Sequence, residues 1–246
     1  MNVLLTNDDG IFAEGLWALY KCFSEQYSVT VVAPDRERSA VGHGITLYEP
    51  LRANIVEVNG GYQGHAVNGT PADCVKIGLM EILDTRPDLV ISGINPGANV
   101  GVNLNYSGTV AAAREAALYR VPAIAVSMQG QQRSNFDDVA SFIAALSGNV
   151  LKEGLPPGTS LNVNIPDIPM DTVKGIRISR QGTAIYDEYI EKRTDPRNRT
   201  YYWHGFDSRI VYNNPEIDVA ALEENYISIT PIQCDMTDYS MLEDLR

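Results

Sequence analysis

Apolar and polar residues in the first part of the chain follow a strand, helix, strand order. Residues 1–7 and 27–34 are short apolar runs typical of strands, and residues 14–25 between them carry apolar side chains at helical spacing. A further helix is predicted over 70–84, because the sequence TPAD supplies an N-cap, an N1 proline and an acidic N3 before an apolar run. The first part of the chain is therefore predicted to form a βαβ unit.

The middle of the chain continues this pattern with more strongly apolar strands. Residues 88–93 and 121–127 are apolar without alternation, which is typical of parallel strands buried on both faces, and the Ala-rich segment 109–119 between them predicts a helix. Further elements are predicted as a helix over 136–152 and strands over 160–165 and 175–179. This order predicts an α/β fold, a Rossmann-like doubly wound and mostly parallel sheet.

The pattern changes beyond about residue 180. Two polar and aromatic strand-like runs surround DPRNR, which predicts a long exposed hairpin over 180–206 with little core of its own. Residues 217–233 then predict a short helix and a strand that returns to the sheet. We expect a Rossmann-like catalytic core over 1–180 and, over 181–246, a C-terminal arm that serves oligomerisation.

Charge limits the partners of this chain. Its 246 residues include 19 basic and 31 acidic side chains, a net charge of −12, which would repel a nucleic acid duplex over most of the surface. A small phosphate ester remains a candidate ligand, because a bound divalent cation can reverse the sign of the local field.

Composition and the first residues also indicate where in the cell the protein is expected. No apolar run reaches the roughly 18 residues that a membrane span needs, so no membrane partner is expected. The first residues lead into an apolar strand without a basic n-region, which favours the cytoplasm. Three widely spaced cysteines, Cys22, Cys74 and Cys234, indicate neither a disulfide nor a zinc site.

Ligands of open parallel sheets bind beyond the carboxyl ends of the strands, so the loops there carry the candidate chemistry. Asn7, Asp8, Asp9 and Gly10 follow the first strand, and two neighbouring carboxylates repel each other unless a cation lies between them. The alternative is a plain polar turn, since these residue types all favour turns. The position at a strand end favours a divalent metal site.

Two further loops carry oxygen and amide groups. The loop over 35–46 holds Ser39, whose hydroxyl could bind a metal or phosphate, although a serine in a loop is more often only a turn residue. The loop over 92–109 is rich in glycine and asparagine and holds Asn95, a neutral hard ligand, while Ser107 and Thr109 precede or begin a helix whose N–H groups attract anions. This loop predicts a phosphate cradle; a purely structural Ω-loop is the alternative.

Motifs that the sequence lacks count against dinucleotide binding, P-loop ATP hydrolysis and hydrolysis by a catalytic triad. The sequence has no G-x-G-x-x-G after the first strand, no phosphate-binding G-x-x-x-x-G-K-[ST] and no G-x-S-x-G elbow. Thr70 and Asp73 are explained by helix capping alone. The histidines lack the spacing of a zinc site, and we expect His43, His65 and His204 to be solvated or in the core.

The chain carries four ordered motifs that closely resemble those of the SurE family, the survival protein E nucleotidases: LLTNDDG at 4–10, DRERSAVGHGIT at 35–46, NGTPADCV at 68–75 and SGINPGANVGVNLNYSGTVAAAREAA at 92–117. The resemblance is strong over residues 1–180 and looser beyond them. It departs from the family at Tyr239, where relatives often carry a histidine after a D-x-T motif.

The resemblance implies a core that binds one Mg²⁺ or Mn²⁺ per subunit. The implied metal ligands are Asp8, Asp9, Ser39 and Asn95, of which Asp8 and Asp9 are also the implied catalytic residues. Positions around the phosphate correspond to Asn99, Ser107, Gly108 and Thr109. The implied activity is hydrolysis of nucleoside 5′- and 3′-monophosphates, with exopolyphosphatase activity in some members, in a homodimer or homotetramer built through the C-terminal arm.

Our leading hypothesis is metal-dependent phosphate ester hydrolysis, with water or one of the two aspartates as the nucleophile. A non-catalytic nucleotide or phosphate sensor would use the same cradle but would have little need for paired carboxylates. An assembly protein that acts through its aromatic arm is the other alternative.

Overall fold

Strands and helices alternate in the computed structural model, which describes residues 1–58, 60–130, 136–183, 187–207 and 214–246. The strands are β1 Asn2–Thr6, β2 Ser28–Pro34, β3 Ala53–Val58, β4 Tyr62–Val67, β5 Leu89–Pro96, β6 Ala123–Met128, β7 Thr159–Ile165, β8 Ile176–Ile178, β9 Asp187–Thr194, β10 Thr200–Asp207 and β11 Ile227–Gln233. The helices are α1 Glu14–Ser24, α2 Pro71–Ile77, α3 Gly108–Leu118, α4 Phe136–Glu153, α5 Asp218–Glu223 and α6 Tyr239–Asp244.

The main sheet has the strand order β3-β4-β2-β1-β5-β6-β7-β11-β8. The strands from β4 to β7 pair in parallel, whereas β3 is antiparallel to β4 and β11 is antiparallel to β7. The chain runs outward from β1 to β2 on one side and from β5 to β7 on the other, so the strand order reverses between β1 and β5. Such a reversal leaves a crevice beyond the carboxyl ends of the strands. The predicted doubly wound α/β fold is confirmed.

Helices cover both faces of this sheet. One buried apolar cluster joins α1 and α4 to one face, and a second joins α2 and α3 to the other. Strands between two helical layers must be apolar on both faces, which explains the unalternated runs of β5 and β6. The rigid sheet therefore fixes the positions of the loops at its carboxyl edge.

Two elements differ from the sequence expectation. The β3–β4 hairpin was not predicted, because its outer strand is largely exposed at the sheet edge and carries no clear apolar face. The helix predicted over 70–84 begins with the predicted capping box of Thr70 and Asp73, but its α-helical part ends at Ile77 and a wider helical turn, Gly78–Ile82, follows.

The C-terminal part of the chain has two components. β9 and β10 form the predicted antiparallel hairpin, a two-stranded sheet outside the main sheet. β11 returns to the main sheet between β7 and β8, as its apolar pattern predicted. None of the described helices is long and apolar enough to cross a membrane.

Candidate active site

A cavity of about 900 Å³ opens at the carboxyl edge of the sheet, beyond β1 and β5. Its described lining includes most of the residues that the sequence singled out: Asp8, Asp9, Ser39, Asn95, Asn99 and Ser107. The remaining lining residues are Glu37, Ala40, Pro96, Gly97, Ala98, Asn103, Tyr106 and His204. Gly108 and Thr109 are not among them. Three separate loops and the C-terminal hairpin thus meet at one place.

The turn after β1 presents the paired carboxylates. Asn7 is fully buried, donates from its amide nitrogen to the Gly10 carbonyl at 2.9 Å and accepts from the Gly10 N–H at 3.1 Å. Gly10 has φ of +102°, and an added Cβ would lie 3.0 Å from the Arg36 backbone, so a larger residue would strain this turn. The turn is fixed by these contacts, which leaves Asp8 and Asp9 at the cavity wall.

Asp8 is the most constrained group of the site. Only 5% of it is exposed, and the Thr109 hydroxyl donates to its Oδ1 at 2.5 Å. Burial raises the pKa of Asp8 above its ordinary value of 3.8, the hydrogen bonds from the Thr109 hydroxyl and backbone N–H oppose this effect, and the negative charge of Glu37 adds to it. The site therefore holds a carboxylate whose charge is poorly solvated, a condition that a nearby cation would relieve.

The start of α3 packs directly behind Asp8. An added Cβ on Gly108 would lie 2.8 Å from Asp8 Cβ, so only glycine allows this close approach. Thr109 is fully buried, and its hydroxyl contacts Asp8; it lies behind the cavity wall. Ser107 caps the helix by accepting from the Val110 N–H at 3.1 Å, and its own hydroxyl proton stays available for the cavity, because a hydroxyl can donate and accept together.

The loop over 35–46 carries Ser39 to the carboxylates. The Arg38 N–H donates to the Asp8 carbonyl at 2.7 Å, which attaches this loop to the end of β1. Ser39 donates its hydroxyl proton to Glu37 Oε1 at 2.6 Å, so the lone pairs of the hydroxyl oxygen remain available to a cation. Glu37 was missed by the sequence analysis, although it lies two residues before Ser39 in the same loop.

A buried ion cluster holds the far end of that loop. Glu115 of α3 is 5% exposed; its carboxylate lies 2.6 Å from His43 Nε2 and accepts from Lys76 Nζ at 3.0 Å. Burial raises the pKa of Glu115, but the hydrogen bonds from His43 and Lys76 outweigh burial, so the net pKa is lowered. His43 is therefore neither a solvated nor a core side chain but an anchor between the loop and α3.

The loop after β5 is attached to strands deeper in the sheet. Asn95 donates its amide to the Gly97 carbonyl at 2.6 Å, which leaves its side-chain oxygen as the available ligand atom. The Asn99 backbone bonds to Asn162 and Asn164 of β7, and its side chain donates to Ser127 Oγ at 2.8 Å. Asn162 and Asn164 were missed as site residues; their signal was the alternation of asparagine with apolar residues in TSLNVNI.

The oxygen atoms gathered here fit a hard divalent cation. Two carboxylates, a serine oxygen and an amide oxygen are ligands that Mg²⁺ and Mn²⁺ accept, and the described lining contains no lysine or arginine to balance the acidic groups. Within the described ranges no three His, Cys, Asp or Glu side chains are arranged around a metal position. A cation at this place would therefore depend on the neutral oxygens as well as on the carboxylates.

Comparisons with known proteins agree with this geometry. The family model described as survival protein SurE matches residues 3–188. The protein named 5′-nucleotidase SurE from Desulfatibacillum aliphaticivorans is 54% identical over 246 residues, covering 100% of this chain and 97% of the relative. The protein of the same name from Syntrophobacter fumaroxidans is 49% identical over 245 residues, covering 100% of this chain and 98% of the relative.

A solved structure extends the likeness to the whole fold. The crystal structure of the SurE protein from Aquifex aeolicus matches with a TM-score of 0.86 and 38% identity, covering 100% of this chain and 98% of that chain. The match of the family model, the full-length identity and the shared fold lead to one conclusion: this chain belongs to the SurE family.

Proposed function

We propose that this chain hydrolyses nucleoside 5′- and 3′-monophosphates to nucleoside and phosphate with the help of one divalent cation. The observation that carries the proposal is the convergence of Asp8, Asp9, Ser39 and Asn95 in one cavity whose described lining has no lysine or arginine. A dianionic phosphate needs a positive partner there, and a cation bound by these oxygens would supply it. The relatives named 5′-nucleotidase SurE support the same reaction class.

The residues of the site have distinct proposed roles. Asp8, Asp9, Ser39 and Asn95 would hold Mg²⁺ or Mn²⁺. When bound, such an ion stabilises negative charge on phosphoryl oxygens as a Lewis acid. Asp8 and Asp9 also place a carboxylate where it can accept a proton from an attacking water or attack phosphorus directly.

The glycine-rich loop and the start of α3 would orient the phosphate. Asn99 is held by Ser127 and by the asparagines of β7, so its position costs little further ordering when substrate binds. The Ser107 hydroxyl would donate to a phosphoryl oxygen, and the positive end of α3 at Gly108 would attract the anion. Thr109 would act through Asp8, whose carboxylate it orients.

The decisive experiment is phosphate release from a panel of nucleoside 5′- and 3′-monophosphates and polyphosphate, with EDTA and with Mg²⁺ or Mn²⁺ restored. We expect release from nucleotides that EDTA abolishes and metal restores. Tight nucleotide binding without release from any substrate would favour the sensor alternative. Release that persists in EDTA would contradict the role of the cation.

A second proposal concerns assembly. The β9–β10 hairpin exposes large side chains, Tyr189, Ile190, Tyr202 and Trp203, outside the main sheet. Exposed aromatic clusters of this kind are typical of interfaces, so we propose that the arm joins copies of this chain into a homodimer or homotetramer. Light scattering of the full chain and of a variant without residues 183–206 tests this: the deletion is expected to reduce the particle mass to that of a monomer.

A further inference from the structure

His204 of β10 lies in the wall of the cavity, although it belongs to the hairpin and the other titratable lining residues do not. The carboxylates Asp8, Asp9 and Glu37 come from loops at the carboxyl edge of the main sheet, whereas His204 reaches the same space from the separate two-stranded sheet. Its side chain is exposed, so no packing role explains its position. Among the described lining residues it alone can carry a positive charge.

The proposed reaction has a need that the carboxylates do not meet. In phosphoryl transfer the attacking and leaving oxygens lie roughly in line on opposite sides of phosphorus. Asp8 and Asp9 act at phosphorus and at the attacking oxygen, so the leaving oxygen points away from them. The ribose oxygen leaves poorly as an alkoxide and needs a proton from a different part of the wall.

Few groups in the described lining could supply that proton. The Ser39 hydroxyl donates to Glu37, and the Ser107 hydroxyl is the proposed donor to phosphoryl oxygens. An imidazole has an ordinary pKa of about 6.5 and is the usual side-chain acid near neutral pH.

We propose that His204 is a catalytic residue that protonates the leaving oxygen of the nucleoside, an inference that rests on the proposed function. With water as the nucleophile, a new P–O bond forms while the P–O bond to the nucleoside breaks, and its electron pair goes to the nucleoside oxygen. The imidazolium proton moves to that oxygen to give a hydroxyl. The attacking water loses its proton to the carboxylate of Asp8 or Asp9, which passes it to solvent, while the imidazole takes one proton up from solvent, so the protons balance.

The leaving group separates this role from a structural one. The His204→Gln variant removes the acid, and we expect it to lower kcat for adenosine 5′-monophosphate by roughly 100-fold or more. The same variant should change kcat for p-nitrophenyl phosphate less than about 3-fold, because nitrophenolate is a stable anion that leaves without a proton. His65→Gln, the same exchange on β4 outside the cavity, is the matched control and should leave both rates unchanged.

A second variant tests the chemistry independently of the glutamine side chain. His204→Ala should lose the same activity toward the nucleotide, and added imidazole should restore part of it without affecting p-nitrophenyl phosphate. Equal losses on both substrates, or no loss on the nucleotide, would overturn the role of His204 while the proposed function stands. A wild-type protein that releases phosphate from neither substrate would instead overturn the proposed function and this inference with it.

Discussion

The hydrogen bond from Thr109 to Asp8 gives a sharp test of how the site is held together. Thr109→Val replaces the hydroxyl by a methyl group of similar size at a fully buried position, so the change removes one interaction and little volume. A hydrogen bond to a charged acceptor contributes about 1.5–3 kcal/mol. At 1.36 kcal/mol for each factor of ten, its loss in the transition state corresponds to a fall in kcat/KM of about 10-fold to 150-fold.

The assay is steady-state phosphate release from a nucleoside 5′-monophosphate at saturating Mg²⁺ or Mn²⁺. Thr109→Ser is the matched control because it keeps the hydroxyl. Its kcat/KM should stay within about 3-fold of the wild-type value, a change of less than about 0.7 kcal/mol in transition-state stabilisation. Urea unfolding of both variants checks the fold, and we expect Thr109→Val to lose about 1–3 kcal/mol of stability, since a buried acceptor oxygen loses its partner.

The two variants together test whether the Thr109 hydroxyl that bonds to Asp8 matters to the reaction. If Thr109 acts through Asp8, the valine variant loses kcat/KM and the serine variant does not. A valine variant with the wild-type rate would refute the reasoning, because the short bond in the structure would then contribute nothing to the reaction.

Two further predictions concern buried carboxylates. In cation-free protein Asp8→Asn should raise the free energy of unfolding at pH 7 by about 1–2 kcal/mol, because the buried carboxylate has a pKa above its ordinary value and its charged form is destabilising. The wild-type protein should gain stability relative to this variant as the pH falls through that raised pKa. Urea unfolding in EDTA should therefore show a smaller difference in unfolding free energy at pH 4 than at pH 7. A larger difference at pH 4 would contradict destabilisation by the buried charge. Glu115→Gln should cost about 1–3 kcal/mol of stability at pH 7, since hydrogen bonds to His43 and Lys76 are weakened. Its lowered pKa places that contribution above the ordinary value of 4.5, so the difference should shrink as the pH falls through the folded pKa, and an unchanged difference at pH 3 would count against the ion cluster.

The architecture could be predicted from the sequence because the patterns that indicate strands and helices are local. The unalternated apolar run over 88–93 indicated a strand between two helical layers, and the capping box at Thr70 satisfies the first N–H groups of a helix wherever that helix packs. The β3–β4 hairpin escaped prediction because an exposed edge strand needs no apolar face.

The candidate ligands were also accessible from sequence, since the carboxyl ends of parallel strands share one edge. Asp8 and Asp9 after β1 and Asn95 at the end of β5 meet in one cavity for that reason. The position of Ser39 could not be predicted in this way, because its loop reaches the carboxylates through backbone contacts that no residue pattern reveals.

Tertiary structure decided which side chains line the cavity and which lie behind its wall. Thr109 contacts Asp8, 101 residues away in the chain, and the asparagines of β7 anchor Asn99 from more than 60 residues away. His204 joins the cavity only because the folded chain brings β10 to its wall. Sequence determines the residue types and the local elements; the partners of a buried polar group depend on which elements pack together, and that is settled only when the whole chain folds.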